Sequence, residues 1–156
     1  MKVLAVVGRK NTGKTSLVEA LLEAIPEHKT VATIKSIHHE VEFDEAGTDT
    51  YRHRQAGADA VVGMTPGATA EFRPEGKSDG VTLQGELSRL HERGFDWVIV
   101  EGFKTESLAT IVVGDLPSET IKGSVIERIV SGTAGGDLAV SEWLSVVPDW
   151  RPAEDS

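Results

Sequence analysis

The strongest constraint on this chain is a short segment that lies between an apolar run and a helical pattern. Residues 8–15 are Gly-Arg-Lys-Asn-Thr-Gly-Lys-Thr, which matches G-x-x-x-x-G-K-[ST]. The apolar run, residues 3–7, is typical of a parallel strand that is covered on both faces. Residues 15–24 carry an amphipathic stripe, and Pro26 ends the helix. The segment is therefore predicted to be a strand-to-helix turn that wraps the phosphates of a nucleoside triphosphate.

Each fixed position of this turn has a physical reason. Gly8 and Gly13 are expected to adopt backbone angles that a side chain would forbid and to let the backbone approach the phosphates. Successive N–H groups and the helix N-terminus then form an anion-binding nest. Lys14 is expected to reach the β- and γ-phosphates, and the Thr15 hydroxyl to bind Mg²⁺. The alternative is a glycine-rich turn that matches the pattern by chance.

Strand and helix signals alternate along the rest of the chain. Strands are predicted at residues 3–7, 30–35, 60–65, 68–73, 97–101, 111–113 and 126–130, and helices at 15–24, 49–57, 82–93 and 137–144, with Asp49, Thr82 and Asp137 as caps. This order predicts an α/β fold of the three-layer P-loop NTPase class. It has a mostly parallel sheet, helices on both faces and an added antiparallel hairpin. Residues 1–150 are expected to form a single nucleotide-binding domain, and 151–156 an acidic tail.

Composition limits which binding partners and which cellular compartment are expected. A net charge of −9 argues against broad nucleic-acid binding, which needs clustered Lys and Arg. The absence of cysteine excludes disulfides and cysteine-bound zinc. No apolar run reaches the roughly 20 residues of a membrane span, and the N-terminus lacks the features of a signal peptide. A cytoplasmic protein with no membrane association is expected.

An acidic residue at a second strand end is the expected metal partner of such a turn. Glu101 follows the apolar residues 97–100 and precedes Gly102, so it would emerge at the edge of an inner strand. The alternative is an ordinary solvated carboxylate. Asp44 and Asp49 are the other candidates, and Asp49 could instead only cap a helix.

Two further segments carry open alternatives. His38 and His39 are adjacent, so on a strand they would point to opposite faces; a polar contact to substrate, partner or phosphate is favoured over a metal-cargo site. The guanine-reading pattern Asn-Lys-x-Asp is impossible, because Asn11 is the only asparagine in the chain. Residues 130–136 are either a base-binding loop or a flexible turn, and no catalytic base can be assigned.

Four blocks of residues resemble one family, the molybdopterin-guanine dinucleotide biosynthesis protein B (MobB) family. They are the turn at residues 7–15, Thr33-Ile34-Lys35-Ser36-Ile37-His38-His39, Gly47-Thr48-Asp49-Thr50-Tyr51-Arg52 with Ala56-Gly57-Ala58, and Val100-Glu101-Gly102-Phe103-Lys104. Their order and spacing match over about residues 1–113. Ser36 departs from the histidine usual in the family, and the residues after Gly114 match weakly.

The resemblance implies a P-loop homodimer that binds GTP and Mg²⁺, hydrolyses GTP feebly and assists the guanylyltransferase that joins GMP to molybdopterin. The molybdopterin cofactor is a further candidate ligand. By resemblance, the phosphates are held by Gly8, Arg9, Lys10, Asn11, Thr12, Gly13, Lys14, Thr15 and Ser16. Thr15 and Glu101 would serve Mg²⁺, while Lys35, His38, His39, Asp49 and Lys104 would line the same face.

Two other functions use the same turn. A small-molecule kinase would need a lid with arginines, for which Arg52, Arg54 and Arg73 are candidates. A metallochaperone GTPase would use His38 and His39 to hold its cargo.

Overall fold

The computed structural model describes residues 1–37, 47–73, 82–131 and 137–153, which form seven strands and four α-helices. The strands are β1 (Lys2–Gly8), β2 (Val31–Lys35), β3 (Val61–Met64), β4 (Thr69–Phe72), β5 (Trp97–Glu101), β6 (Ala109–Val113) and β7 (Ser124–Ile129). The helices are α1 (Lys14–Ala24), α2 (Asp49–Gln55), α3 (Leu83–Glu92) and α4 (Asp137–Ser145). The chain divides into two compact units. The larger unit comprises Met1–Ser36 and Gln84–Ser156, and the smaller unit is Ile37–Leu83.

The larger unit is built on a parallel sheet of five strands in the order β2-β5-β1-β6-β7. The central positions explain the apolar sequences. Residues 3–7 of β1 and all of β6 are buried, because neighbouring strands and covering layers leave neither face in water. The predicted parallel sheet is confirmed, and each predicted strand lies within about two residues of the observed one.

The core lies on both faces of β1, as the period-two alternation of a strand requires. Leu4 and Val6 belong to a cluster with Leu17 and Leu21 of α1 and with Trp143 of α4. On the opposite face, Val7 packs with Val112 of β6 and with Leu116. Leu17 and Leu21 are fully buried, so the stripe predicted for the first helix is confirmed as its core face.

The smaller unit contains the predicted antiparallel hairpin, formed by β3 and β4 with Val61 opposite Phe72. The hairpin is a two-stranded sheet of its own and does not extend the five-stranded sheet. Helix α2 contacts β3, and the Arg54 guanidinium lies over the rings of Tyr51 and Phe72, 5.5 Å from each centroid.

One predicted cap, that of α2, is wrong by one residue. Thr48 caps α2, because its hydroxyl accepts a hydrogen bond of 3.3 Å from the Tyr51 N–H. Asp49 is instead the first helical residue, where a negative charge favours the positive helix end. Asp137 is likewise the first residue of α4. Within the parts of the chain that the structure describes, no helix is long and apolar enough to cross a membrane.

Candidate phosphate-binding site

The sheet order brings four strand ends together around Gly8. Parallel strands share one carboxyl edge, and β1 lies between β5 and β6. Gly8 is paired with Val113, while Lys35 is paired with Glu101. Ligands of open α/β sheets bind at this edge, where the connections leave the central strand in opposite directions. The predicted phosphate loop, residues 8–15, therefore occupies the position that this architecture uses for ligands.

The backbone of the loop has two left-handed residues and one close approach. Gly13 has φ 88° and Asn11 has φ 61°. Asparagine is among the few residues other than glycine that enter this region readily. Gly8 does not have a left-handed φ, so the conformational reason expected for it is wrong. It is needed for space: a Cβ there would collide with the Val113 carbonyl oxygen and lie 3.0 Å from Thr12 Oγ1.

The Arg9 carbonyl organises the interior of the loop. It accepts a hydrogen bond of 2.5 Å from Lys14 Nζ and another of 2.9 Å from Thr12 Oγ1. The lysine side chain thus folds back over the loop, so its ammonium group is positioned at the turn. Gly13, the residue that precedes α1, has no side chain to cap the first N–H groups of the helix. These donors and the ammonium fit an anion of the size of a phosphate group.

Positive charge is concentrated at this edge of an otherwise acidic protein. Arg9, Lys10 and Lys14 lie in the loop, and Lys35 ends the strand β2. Against a net charge of −9, such a cluster creates a local potential that favours a polyanion. Arg9 Nε also forms an ion pair of 3.1 Å with Asp115 Oδ1, and both side chains are exposed.

Glu101 is held at the end of β5 by contacts on two sides. Its Oε1 lies 3.9 Å from Lys35 Nζ, and its side chain is only 16% exposed. The Glu101 carbonyl accepts a hydrogen bond of 2.9 Å from the Ser36 N–H, and the Gly102 N–H donates one of 2.9 Å to Val6. The Glu101 side chain therefore lies at the predicted edge of the sheet and is largely shielded from solvent.

A sharp turn follows Glu101. Gly102 has φ 99° and Phe103 has φ 60°, which is an uncommon angle for an aromatic residue. A Cβ on Gly102 would lie 2.8 Å from Ser36 Cβ, so the ends of β2 and β5 are closely apposed. Serine fits this contact, at the position where the family resemblance led us to expect a histidine.

The residues at this edge fit a Mg²⁺ ion that is held jointly by protein and phosphate oxygens. Among residues 1–37, 47–73, 82–131 and 137–153, no group of three or more His, Asp and Glu side chains could bind a metal. Mg²⁺ is commonly bound by one or two protein oxygens together with waters and substrate phosphates. Glu101 and the exposed hydroxyl of Thr15 are candidates of that kind, and their metal role stays a prediction.

Several other predicted residues lie outside the described part of the larger unit or carry contacts of their own. His38, His39 and Asp44 lie outside the described residues, as does most of the candidate base-binding loop. Asp49 and the candidate lid arginines belong to the smaller unit. Of these arginines, Arg54 stacks on two aromatic rings and Arg73 Nε lies 3.4 Å from Glu71 Oε1. Lys104 is exposed after the turn that follows β5.

Gly114 and Asp115 are site residues that the sequence analysis missed. Gly114 has φ 85°, and a Cβ there would lie 3.3 Å from Thr12 Cγ2. The next residue, Asp115, reaches Arg9. The sequence signal for these residues is a Gly-Asp pair directly after a buried strand. It indicates a contact with the phosphate loop only if β6 is known to lie beside β1.

The parallel sheet, the central loop and the helix that begins at Lys14 define a nucleotide-binding protein of the P-loop class. Within that class, the chain belongs to the family described as molybdopterin guanine dinucleotide synthesis protein B, MobB, whose model matches residues 3–130. The resemblance noted in the four sequence blocks is thereby confirmed.

Relatives agree in sequence and in fold. The chain is 41% identical over 153 residues to a Methanocaldococcus jannaschii protein named as a molybdopterin-guanine dinucleotide biosynthesis adapter. This match covers 97% of the present chain and 56% of the relative. It is 32% identical over 138 residues to the Escherichia coli adapter protein, with 85% and 77% covered. The fold is similar to that of Bacillus subtilis MobB, with a TM-score of 0.71, 21% identity and 95% and 99% of the chains covered. The chain thus spans little more than half the length of its archaeal relative.

Proposed function

We propose that this protein is a GTP-binding accessory protein of molybdenum cofactor biosynthesis. In this role it assists the guanylyltransferase that attaches GMP to molybdopterin. The observation that carries the proposal is the phosphate loop on the central strand of a MobB-family chain. The names of the relatives, which refer to an adapter in this pathway, support the same role. We further propose a cytoplasmic homodimer that contacts the guanylyltransferase and its molybdopterin cofactor.

The proposed chemistry is mainly binding. Lys14 and the N–H groups of the loop hold the β- and γ-phosphates, and Arg9 and Lys10 add positive charge. The Thr15 hydroxyl and the Glu101 carboxylate hold Mg²⁺ or its waters, and the metal neutralises phosphate charge when it is bound. Lys35, whose Nζ lies 3.9 Å from Glu101 Oε1, helps to orient that carboxylate. His39 and Asp49 stay candidate contacts on the same ligand.

Weak turnover follows from what this arrangement supplies. Phosphoryl transfer depends on positioning an attacking group and on stabilising charge in the transition state. The described residues at the loop supply cations and donors for the phosphates, and none is placed as a base for an attacking water. We therefore expect the protein alone to bind GTP with near-zero hydrolysis.

The deciding experiment is equilibrium binding of GTP and ATP, each with Mg²⁺ and in matched salt, alongside the hydrolysis rate. A clear preference for GTP with little turnover is expected. Addition of this protein to a guanylyltransferase of the pathway should then raise the yield of the guanine dinucleotide at limiting GTP. Preference for ATP, with rapid transfer to a small-molecule acceptor and no protein partner, would replace this proposal with the kinase alternative.

A further inference from the structure

The connection after β6 touches the phosphate loop at two points. Gly114 lies against Thr12, where an added Cβ would be 3.3 Å from Thr12 Cγ2. The next residue, Asp115, places its Oδ1 3.1 Å from Arg9 Nε. Two positions of the phosphate loop, Arg9 and Thr12, therefore face a single neighbouring segment, residues 114–118, which we name the β6–β7 connection.

The β6–β7 connection is held in place by one buried side chain and by two hydrogen bonds from Arg128. Leu116 is buried with Val7 and Val112 directly beneath the loop. The Arg128 guanidinium donates a hydrogen bond of 2.8 Å to the Leu116 carbonyl and another of 2.7 Å to Ser118 Oγ. The backbone that carries Asp115 is thus anchored, so a change of partner would be made by the longer and more flexible Arg9 side chain.

The Arg9–Asp115 ion pair has the properties of an exchangeable contact. The two side chains are 62% and 84% exposed, and Arg9 Nε lies 3.1 Å from Asp115 Oδ1. Exposed pairs of this kind contribute little net stability, since water and salt screen them. A triphosphate presents several charged oxygens a short distance away in the same loop, and guanidinium groups bind such oxygens in bidentate fashion.

We propose that Arg9 exchanges Asp115 for phosphate oxygens when a triphosphate binds, so that Asp115 competes with the nucleotide for Arg9. This inference rests on the proposed function of the loop. The exchange lowers the affinity of the loop for triphosphate. It also releases the carboxylate of Asp115, which lies on an anchored segment, from Arg9 when the loop is occupied.

The first test is the Asp115→Asn variant, which keeps the shape of the side chain and removes its charge. Its affinity for GTP and for inorganic triphosphate, each with Mg²⁺, should rise about twofold to fivefold, the range expected for a partly exposed charge pair. Asp149→Asn is the matched control, because Asp149 is also exposed and its backbone bridges to that of Lys2 at the start of β1, at the opposite edge of the sheet. Melting temperatures of both variants check that the fold is intact, and Asp115→Ser provides a second removal of the charge.

The second test separates exchange from simple repulsion between Asp115 and the phosphates. In an Arg9→Ala background, the gain from Asp115→Asn should fall to less than half of its value in the wild-type background. An undiminished gain would mean that Asp115 acts through repulsion alone and would overturn the exchange. Weaker binding by Asp115→Asn would also overturn it, since Asp115 would then be a supporting residue.

The outcomes for the exchange and for the proposed function are distinct. A wild-type chain that binds neither GTP nor inorganic triphosphate would overturn both. A wild-type chain that binds both, with Asp115→Asn no different from Asp149→Asn, would overturn the exchange alone. An effect of Asp115→Asn on GTP but not on inorganic triphosphate would assign the carboxylate to the base, which contradicts the exchange.

Discussion

Lys14 shows how one side chain can serve the site while contributing little to the fold. It folds back to the Arg9 carbonyl at the loop and lies outside the buried core. Lys14→Ala is expected to weaken triphosphate binding by at least about 100-fold. This corresponds to the loss of about two charge-assisted hydrogen bonds at about 1.5 kcal/mol each. Isothermal titration with GTP measures the loss, and circular dichroism should show an unchanged fold.

The control for this variant is Lys29→Ala. Lys29 precedes the parallel strand β2, and its Nζ lies 3.5 Å from Asp96 Oδ1 just before β5, so it lies at the opposite edge of the sheet from the phosphate loop. Both variants remove one positive charge, and only the first removes it from the loop. Equal affinities for GTP in the two variants would refute the phosphate-loop assignment.

Gly8 is a second position at which one small group matters, because the loop has no room for a Cβ there. Gly8→Ala would place a methyl group 3.0 Å from Thr12 Oγ1 and against the carbonyl of Val113, which is backbone of the buried strand β6. We expect a loss of about 1–3 kcal/mol of unfolding free energy, as for overpacking, together with weaker triphosphate binding. Urea denaturation measures the first and titration the second.

Gly67→Ala provides the comparison for Gly8→Ala. No atom lies within 4 Å of a Cβ at Gly67. The change in unfolding free energy should stay within about 0.5 kcal/mol. If Gly8→Ala were as well tolerated as Gly67→Ala, the close approach of β1 and β6 at the loop would be wrong.

The contact between Asp96 and Thr30 fixes how the elements β2 and β5 begin. The Thr30 N–H donates a hydrogen bond of 2.9 Å to Asp96 Oδ2, and the Thr30 hydroxyl lies 3.1 Å from the same oxygen. The backbone hydrogen bond is the largest of the effects that lower the pKa of Asp96 below 3.8, and the charge of Lys29 acts in the same direction. Because the folded state lowers this pKa, the contact stabilises the protein above the unfolded pKa and is lost as the pH falls through the folded one.

This sign gives a prediction for the stability of Asp96→Asn. The variant should be less stable than the wild type near neutral pH, and the difference should shrink as the pH falls below about 4. Urea midpoints measured at several pH values test it. Thr30→Val removes the hydroxyl but keeps the backbone donor. Its loss of stability should therefore vary with pH in the same direction as that of Asp96→Asn, but by a smaller amount. A difference that grows on acidification would contradict the assigned cause.

The elements themselves could be predicted well because their signals are local. Buried parallel strands give unbroken apolar runs such as residues 3–7, and α1 gives a clear stripe through Leu17 and Leu21. The caps were less secure, since Thr48 and Asp49 are both suitable residues and only the geometry separates them. The neighbours of β1 could not be predicted, because the strand order depends on packing between distant segments. For that reason Gly114 and Asp115, which adjoin the loop only through β6, were not among the predicted residues, whereas Glu101 could be proposed from its own strand.

At the scale of the whole molecule, the net charge of −9 opposes compactness through repulsion. Raising NaCl from about 0.1 M to about 1 M shortens the Debye length from about 10 Å to about 3 Å. The melting temperature should therefore rise with salt, and calorimetry would measure the rise. The double variant Glu19→Gln, Glu23→Gln removes two like charges spaced i, i+4 on α1, so its salt dependence should be smaller. A melting temperature that falls with added salt would show that attractive pairs outweigh the repulsion.

The central place of β1 also has a consequence for how the protein is made. Its two neighbours, β5 and β6, are translated about 100 residues later, which takes a ribosome about 5–20 s. During that interval the first strand has no partner in the sheet, and Gly8 has no Val113 against which to close. The nascent chain carries the complete sequence of the phosphate loop long before it can form the loop. Nucleotide can therefore be captured only after β6 has left the ribosome, and an apolar strand must be kept from aggregating until then.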